Sequence, residues 1–102
     1  MLIIPKQSVA NQQFGLNING ENYEITLRTA KGITLFSLKN SETQICLNVK
    51  CIPNAKIFFK SPVDLGGVFY WVCPDDEYPY YELFDSQELV FLTDEEVKSL
   101  NA

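Results

Sequence analysis

The sequence predicts an all-β fold, either a small antiparallel β-sandwich or a partly open β-barrel, with about six to eight strands and a short C-terminal helix. Three observations support this fold. Alternating apolar and polar runs recur roughly every ten residues, turn signals separate them, and aromatic residues make up 13% of the chain. Because 102 residues suit one domain, residues 1–102 are expected to form a single β domain.

The first hairpin is the clearest element of the sequence. Asn19-Gly20 separates two runs in which apolar residues occupy every second position: Phe14, Leu16 and Ile18 before it, Tyr23, Ile25 and Leu27 after it. A type I′ turn needs positive φ at both central residues, so Asn-Gly between alternating runs predicts a two-residue hairpin turn at Asn19 and Gly20.

Two more turns and two more strands follow in the first half. Lys31-Gly32 marks a turn before the strand 33–38, whose two faces are both apolar and therefore predict burial on both sides. Asn40-Ser41-Glu42 predicts a third turn, and residues 44–51 a fourth strand.

The second half is less regular. Beyond the Ile52-Pro53-Asn54 breaker, residues 57–59 are expected to form a short strand. The most β-prone run is 68–73, and Gly66 and Gly67 before it predict a turn or bulge.

The C-terminal end is predicted to form a last strand followed by the helix. Residues 89–92 are apolar and β-prone. Thr93 and Glu96 fit a capping box, in which each side chain accepts a hydrogen bond from the other residue's backbone N–H. A helix of one or two turns is therefore expected after Thr93.

Charge and composition exclude several classes of function. The net charge is −5; residues 1–51 carry five Lys/Arg against three acids, and residues 52–102 three Lys against ten acids. Direct nucleic acid binding is not expected, because no concentrated basic face exists to displace counterions from phosphates. Membrane insertion is not expected either, since no apolar run reaches the roughly 18 residues that span a bilayer. The N-terminus does not resemble a secretory signal, which predicts synthesis in a reducing cytoplasm.

No catalytic or metal-binding set is complete, so the sequence predicts a non-enzyme without a cofactor. Histidine, the commonest general base and metal ligand, does not occur. The three cysteines have no CxxC pair, and buried, inert thiols are the favoured interpretation over a zinc site or a nucleophile. The acids of 75–85 lack the ligand spacing of a Ca²⁺ loop, so solvated side chains are favoured over a cation site or paired glycosidase carboxylates.

Aromatic residues concentrate between 69 and 84 and have two interpretations, core or interface. Trp71 lies in the predicted strand 68–73 and is expected in the core. The loop that follows is proline-bearing and acidic, and loop aromatics are enriched at binding interfaces. The candidate partner-contact residues are Asp75, Asp76, Tyr78, Tyr80, Tyr81 and Phe84.

Taken together, the ordered motifs resemble the short baseplate plug proteins of contractile-tailed phages and prophages. The resemblance extends over most of the chain and is carried by order and spacing. The matching motifs are Ile4-Pro5, Gln12-Gln13, Asn19-Gly20, Tyr23-Glu24-Ile25-Thr26-Leu27-Arg28, Gly32-Ile33-Thr34-Leu35, Ile52-Pro53-Asn54, Asp64-Leu65-Gly66-Gly67-Val68-Phe69, Asp75-Asp76-Glu77, Tyr80-Tyr81 and Leu89-Val90-Phe91-Leu92-Thr93.

The resemblance implies a structural part of the virion. Proteins of this family sit in the tail baseplate near the tail axis, so the expected partners are other baseplate, hub, spike or tail tube proteins, with a homo-oligomer as a further option. The alternative is a small phage-encoded binding module or inhibitor that recognises a host protein or carbohydrate through the aromatic and acidic loop. The sequence leaves these two hypotheses open.

Overall fold

The computed structural model describes residues 1–41 and 43–100 and shows two antiparallel sheets. Its strands are β1 (Leu2–Ile3), β2 (Asn11–Ile18), β3 (Glu21–Ala30), β4 (Ile33–Asn40), β5 (Gln44–Lys50), β6 (Gly67–Val72) and β7 (Glu88–Thr93). A 3₁₀ turn at Tyr81–Leu83 and the helix α1 (Asp94–Leu100) complete the described elements. The all-β prediction is confirmed, and the sheets form a sandwich that is not closed into a barrel.

The first sheet has the order β2-β3-β4-β5 and follows the chain through hairpins. The turn between β2 and β3 has positive φ at Asn19 (53°) and Gly20 (85°), as a type I′ turn requires. Lys31 (53°) and Gly32 (77°) repeat this geometry between β3 and β4. The third predicted turn includes Glu42, which lies outside the described residues.

The second sheet has the order β1-β7-β6, so it joins the two ends of the chain. Gly66 has φ 74° at its entrance, and Gly67 opens β6 opposite Thr93. The capping box is present: the Thr93 N–H donates to Glu96 Oε1 (3.0 Å), and the Glu96 N–H donates to Thr93 Oγ1 (3.3 Å). The strand β1 was not predicted, because two residues are too short to show an alternating pattern.

The core lies between the two sheets and is rich in aromatic rings. Phe36 from β4 meets Phe69 from β6 with ring centroids 5.1 Å apart, and Phe69 meets Phe91 from β7 at 5.2 Å. Trp71 is fully buried, as predicted. The three cysteines, Cys46, Cys51 and Cys73, are also buried and free.

Two strand predictions need correction. Residues 57–59 do not form a strand: only Lys56 pairs, as an isolated bridge to Tyr70, and Phe58 is 77% exposed. The segment reaches β6 through two backbone bonds, at Ala55 and Ile57, which are too few for a ladder. Burial of 33–38 is complete only on the inner face, because a two-layer sandwich covers one face of each sheet, and Ile33 and Leu35 on the outer face stay half-buried.

Candidate functional site

Five of the six predicted contact residues lie in one segment between β6 and β7, residues 74–81, which we call the acidic loop; Phe84 lies just beyond it. Residues 74–78 of the loop are exposed. Asp75, Asp76 and Glu77 are exposed, and Tyr78 is 45% exposed. The ring of Tyr78 lies under the Lys50 ammonium, with 5.3 Å between the nitrogen and the ring centroid. This part of the chain therefore exposes carboxylates and part of one aromatic side chain.

The start of the acidic loop is held by one asparagine. Asn54 accepts a hydrogen bond from the Cys73 N–H through Oδ1 (2.8 Å) and donates to the Cys73 carbonyl through Nδ2 (2.9 Å). The same Nδ2 donates to Asp76 Oδ1 (2.6 Å), and Asn54 itself has φ 52°. Tyr70 donates its hydroxyl hydrogen to the Asn54 carbonyl (2.7 Å), so the asparagine is fixed from both sides.

The middle of the acidic loop is held by a buried glutamine. Gln87 is 3% exposed, and its Nε2 donates to the carbonyls of Glu77 and Tyr78, each at 3.2 Å. Its Oε1 accepts the Tyr80 N–H at 3.1 Å. One side-chain amide therefore satisfies three backbone groups of the loop, which need partners when they leave regular structure.

A third attachment comes from the opposite sheet. Thr34 in β4 is fully buried, and its hydroxyl donates to the carbonyl of Pro79 over 2.6 Å. Pro79 is itself fully buried, so the loop is bound into the core at its far end. Loss of this bond would leave a buried carbonyl unsatisfied, which is costly.

Beyond the loop, the chain packs on the core through Phe84. Its ring is 4% exposed and stacks on Trp71, with centroids 5.5 Å apart. The Lys6 ammonium donates to the Phe84 and Gln87 carbonyls and lies 5.2 Å from the centroid of the Phe84 ring. Burial lowers the pKa of Lys6. The prediction that Phe84 contacts a partner is therefore corrected, because burying its apolar ring in the core is more favourable in free energy than leaving it exposed to water.

Tyr80 and Tyr81 are half-buried, less exposed than Tyr78 and less buried than Phe84. Their rings meet each other at 4.8 Å, and Tyr81 packs on the edge of the core. The Tyr81 hydroxyl donates to Glu82 Oε1 (3.2 Å), and this bond to a carboxylate raises the pKa of the phenol. Tyr80 and Tyr81 are thus only partly exposed, and Tyr78 is the most exposed of the three tyrosines.

The exposed surface around the acidic loop is negative. Glu82, Asp85 and Glu88 are exposed in the residues that follow it, and none of these acids or of the loop's three forms an ion pair with a described residue. Within residues 1–41 and 43–100, no three Asp, Glu or Cys side chains gather closely enough to hold a metal ion. The arrangement is suited to contact with a basic surface.

The buried thiols have little nucleophilic character. Burial raises the pKa of Cys51 to about 12 and that of Cys46 to about 11. A thiol reacts as its thiolate, so these two groups are nearly unreactive near neutral pH.

Sequence reasoning found the exposed acids and Tyr78 but missed the residues that fix them. Asn54 was seen only as part of a turn, and nothing in the sequence indicated that Gln87, Thr34 or Lys6 would hold the loop or its flank. Thr34 and Lys6 act through partners distant in sequence, 45 positions away for Thr34 and Pro79, and Gln87 bonds to backbone groups seven to ten positions away, which no local pattern indicates.

Comparison with known proteins gives the family. No helix of the described residues is long and apolar enough to cross a membrane. A search of curated proteins found no match. A protein-family model described as "Cyanophage baseplate Pam3 plug gp18" matches residues 1–96, nearly the whole chain, in agreement with the resemblance drawn from the motifs. The chain therefore belongs to this family of phage baseplate plug proteins.

Proposed function

We propose that this structural baseplate protein packs against a neighbouring tail tube, hub or spike protein through the acidic loop, in the virion and without catalysis. The proposal rests on the fact that the backbone of the acidic loop is held in place while several of its side chains are exposed. Asn54, Gln87 and Thr34 immobilise its backbone, while Asp75, Glu77 and Tyr78 stay exposed.

Rigidity supports a binding role because a loop that is already ordered loses little entropy when it meets a partner. Gln87 and Thr34, which hold the middle and the far end of the loop, are buried, whereas Asp75, Glu77 and Tyr78 are exposed and make few contacts of their own. Such a division is expected where a surface is fixed for recognition and its outer side chains are left to the partner.

The charge of the loop indicates the kind of neighbour. Residues 52–102 hold ten of the 13 acids of the chain, and those at the acidic loop are not neutralised by ion pairs within the described residues. A basic patch on the neighbour would pair with them and steer association, an effect that salt weakens. Tyr78 supplies the aromatic anchor that contact surfaces often contain.

The test is co-purification of the protein with baseplate proteins co-expressed from the same phage. Asp75→Lys/Glu77→Lys should abolish or strongly weaken the association. Glu21→Lys/Glu95→Lys changes net charge equally at exposed sites outside the loop, and should leave it intact. Equal association by both variants would show that the loop is not the contact.

The same preparations distinguish the baseplate proposal from the alternative, a host-directed inhibitor. Purified virions should contain the protein in stoichiometric amount, detected by mass spectrometry. Its absence from particles, together with binding to a host protein or glycan, would contradict the baseplate proposal. Tyr78→Ala should weaken incorporation into particles while the urea midpoint stays unchanged, because this ring is exposed.

A further inference from the structure

We infer that β2 is an open pairing edge and that two copies of this chain join through it in antiparallel register. An unpaired edge strand offers a row of N–H and C=O groups to another chain, and proteins usually block such edges. The two sheets have four edge strands, β2 and β5 in one and β1 and β6 in the other.

Three of the four edges are protected. At β5 the strand is bulged, with register shifts along β4 and φ 52° at Asn48, and it ends in Lys50. At β6 the segment around Lys56 covers the edge through two backbone bonds. At β1 the strand is only two residues long and Pro5 follows it shortly. Bulges, lysines, prolines and short strands are the usual devices of edge protection.

The fourth edge, β2, has none of these devices. Its eight residues, Asn11–Ile18, pair with β3 in unbroken register, and the sequence NQQFGLNI contains no charge and no proline. It is the one edge in the described residues that is both long and unprotected. A lysine or a proline in this strand would have hindered pairing with another chain, and β2 contains neither.

The ladder shows which backbone groups are free. The Thr29 N–H donates to the Ala10 carbonyl (2.8 Å), and the hairpin turn closes between Ile18 and Glu21. Hydrogen-bonded pairs alternate with non-bonded pairs in an antiparallel ladder, so even-numbered residues of β2 bond to β3. The backbone groups that point away from the sheet belong to Asn11, Gln13, Gly15 and Asn17.

These groups fit a second copy of the same strand. A two-fold axis at Phe14 sets Asn11 opposite Asn17 and Gln13 opposite Gly15, so every outward backbone group faces another outward group. On the outer face Asn11 then meets Asn17, and Gln13 lies opposite Gly15, which has no side chain. On the inner face Phe14 meets its own copy, and Gln12 lies opposite Leu16. No like charges face each other, since the strand carries none.

The inner face also gains apolar contact in this register. Phe14 and Leu16 are only half-buried in one copy. A groove of about 270 Å³ lies beside the ring and leaves room there; it is lined by Pro5, Phe14 and four polar residues, Lys6, Gln7, Gln12 and Gln13. The second Phe14 would cover the exposed part of the first, and the two four-stranded sheets would continue as one.

The test uses two double variants that share one substitution. Gln13→Lys/Gly15→Lys places lysine opposite lysine across the axis, whereas Gln13→Glu/Gly15→Lys places glutamate opposite lysine. Gly15 accepts a side chain, because an added Cβ has only the Tyr23 carbonyl oxygen near it, at 3.8 Å. Sedimentation equilibrium should give a dimer for the wild type and for Gln13→Glu/Gly15→Lys. The dissociation constant of Gln13→Lys/Gly15→Lys should be about tenfold or more higher, because like charges then face each other.

A measurement on the unaltered protein guards against folding defects in the variants. Hydrogen exchange should show the outward amides of Gln13 and Gly15 exchanging quickly at low protein concentration and slowly at high concentration. The amides of Phe14 and Leu16, already bonded to β3, should stay slow at both.

Three outcomes would overturn the dimer: a monomeric wild type at all concentrations, equal dissociation constants for the two variants, or amides of Gln13 and Gly15 that ignore concentration. The dimer uses no residue of the acidic loop. A monomeric protein that still co-purifies with baseplate proteins would therefore refute the dimer and leave the proposed function standing.

Discussion

Gly67→Ala tests how closely β6 and β7 approach each other. A Cβ at this position would lie 2.1 Å from the Leu92 carbonyl oxygen and 2.8 Å from Phe91 Cζ. Ordinary van der Waals contact begins near 3.4 Å, so the backbone of β6 would have to retreat from β7 by about 1 Å. A rotamer change cannot relieve the contact with the Leu92 carbonyl oxygen, because that atom belongs to the backbone.

The cost has two parts. Overpacking a well-packed position costs about 1–3 kcal/mol. Moving β6 away from β7 also weakens the hydrogen-bonded pairs on either side of Gly67, such as Asp94 N–H to the Gly66 carbonyl, at about 1 kcal/mol for each bond. We expect the free energy of unfolding to fall by about 2–4 kcal/mol and Tm by roughly 10 °C or more. A loss of this size is a large share of a small domain's stability.

The assay is urea unfolding followed by tryptophan fluorescence, since Trp71 is the only tryptophan and is fully buried. Gly15→Ala is the matched control: it adds the same methyl group to a strand, at a site with space for it. We expect the control to keep or slightly raise the urea midpoint, because glycine in a strand costs entropy. An unchanged midpoint for Gly67→Ala would show that β6 and β7 are not this close.

Three further predictions concern the loop, the helix and the thiols. Thr34→Val should lower the free energy of unfolding by about 1–3 kcal/mol, because the buried Pro79 carbonyl loses its donor; chemical denaturation measures it, and no change would mean that another donor reaches that carbonyl. Hydrogen bonds from the N-terminal amine and from Thr93 lower the pKa of Glu96 below its ordinary value of 4.5. The carboxylate therefore stabilises the fold above pH 4.5, and this contribution is lost as the pH falls through the lowered pKa. The difference in urea midpoint between wild type and Glu96→Gln should therefore be larger at neutral pH than in acid, and a difference independent of pH would contradict the bond. Burial keeps the thiols protonated, so a thiol reagent should label Cys51 only after urea is added; fast labelling of the native protein would place that thiol at the surface.

The local elements could be read from the sequence because their causes are local. Asn19-Gly20 and Gly32 set hairpin turns because asparagine and glycine tolerate positive φ, and the alternation beside them predicted which face of β2 and β3 is buried. The capping box at Thr93 likewise needs only a hydroxyl and a carboxylate three residues apart.

Only the tertiary structure decided the character of the acidic loop. Its acids and Tyr78 are visible in the sequence, but its rigidity comes from Asn54, Gln87 and Thr34, which lie outside the loop and reach it only in the folded chain. The same holds for Phe84, which stands among the loop aromatics in sequence yet packs on Trp71.

The sequence alone thus determined an all-β chain whose hairpins, closing helix and acidic loop follow from neighbouring residues. The tertiary structure decided which of those residues are exposed and which strand edge is left open. The physical reason is the range of the interactions. Turns and caps depend on backbone dihedral angles a few residues apart, whereas burial and edge protection depend on which distant segments pack together.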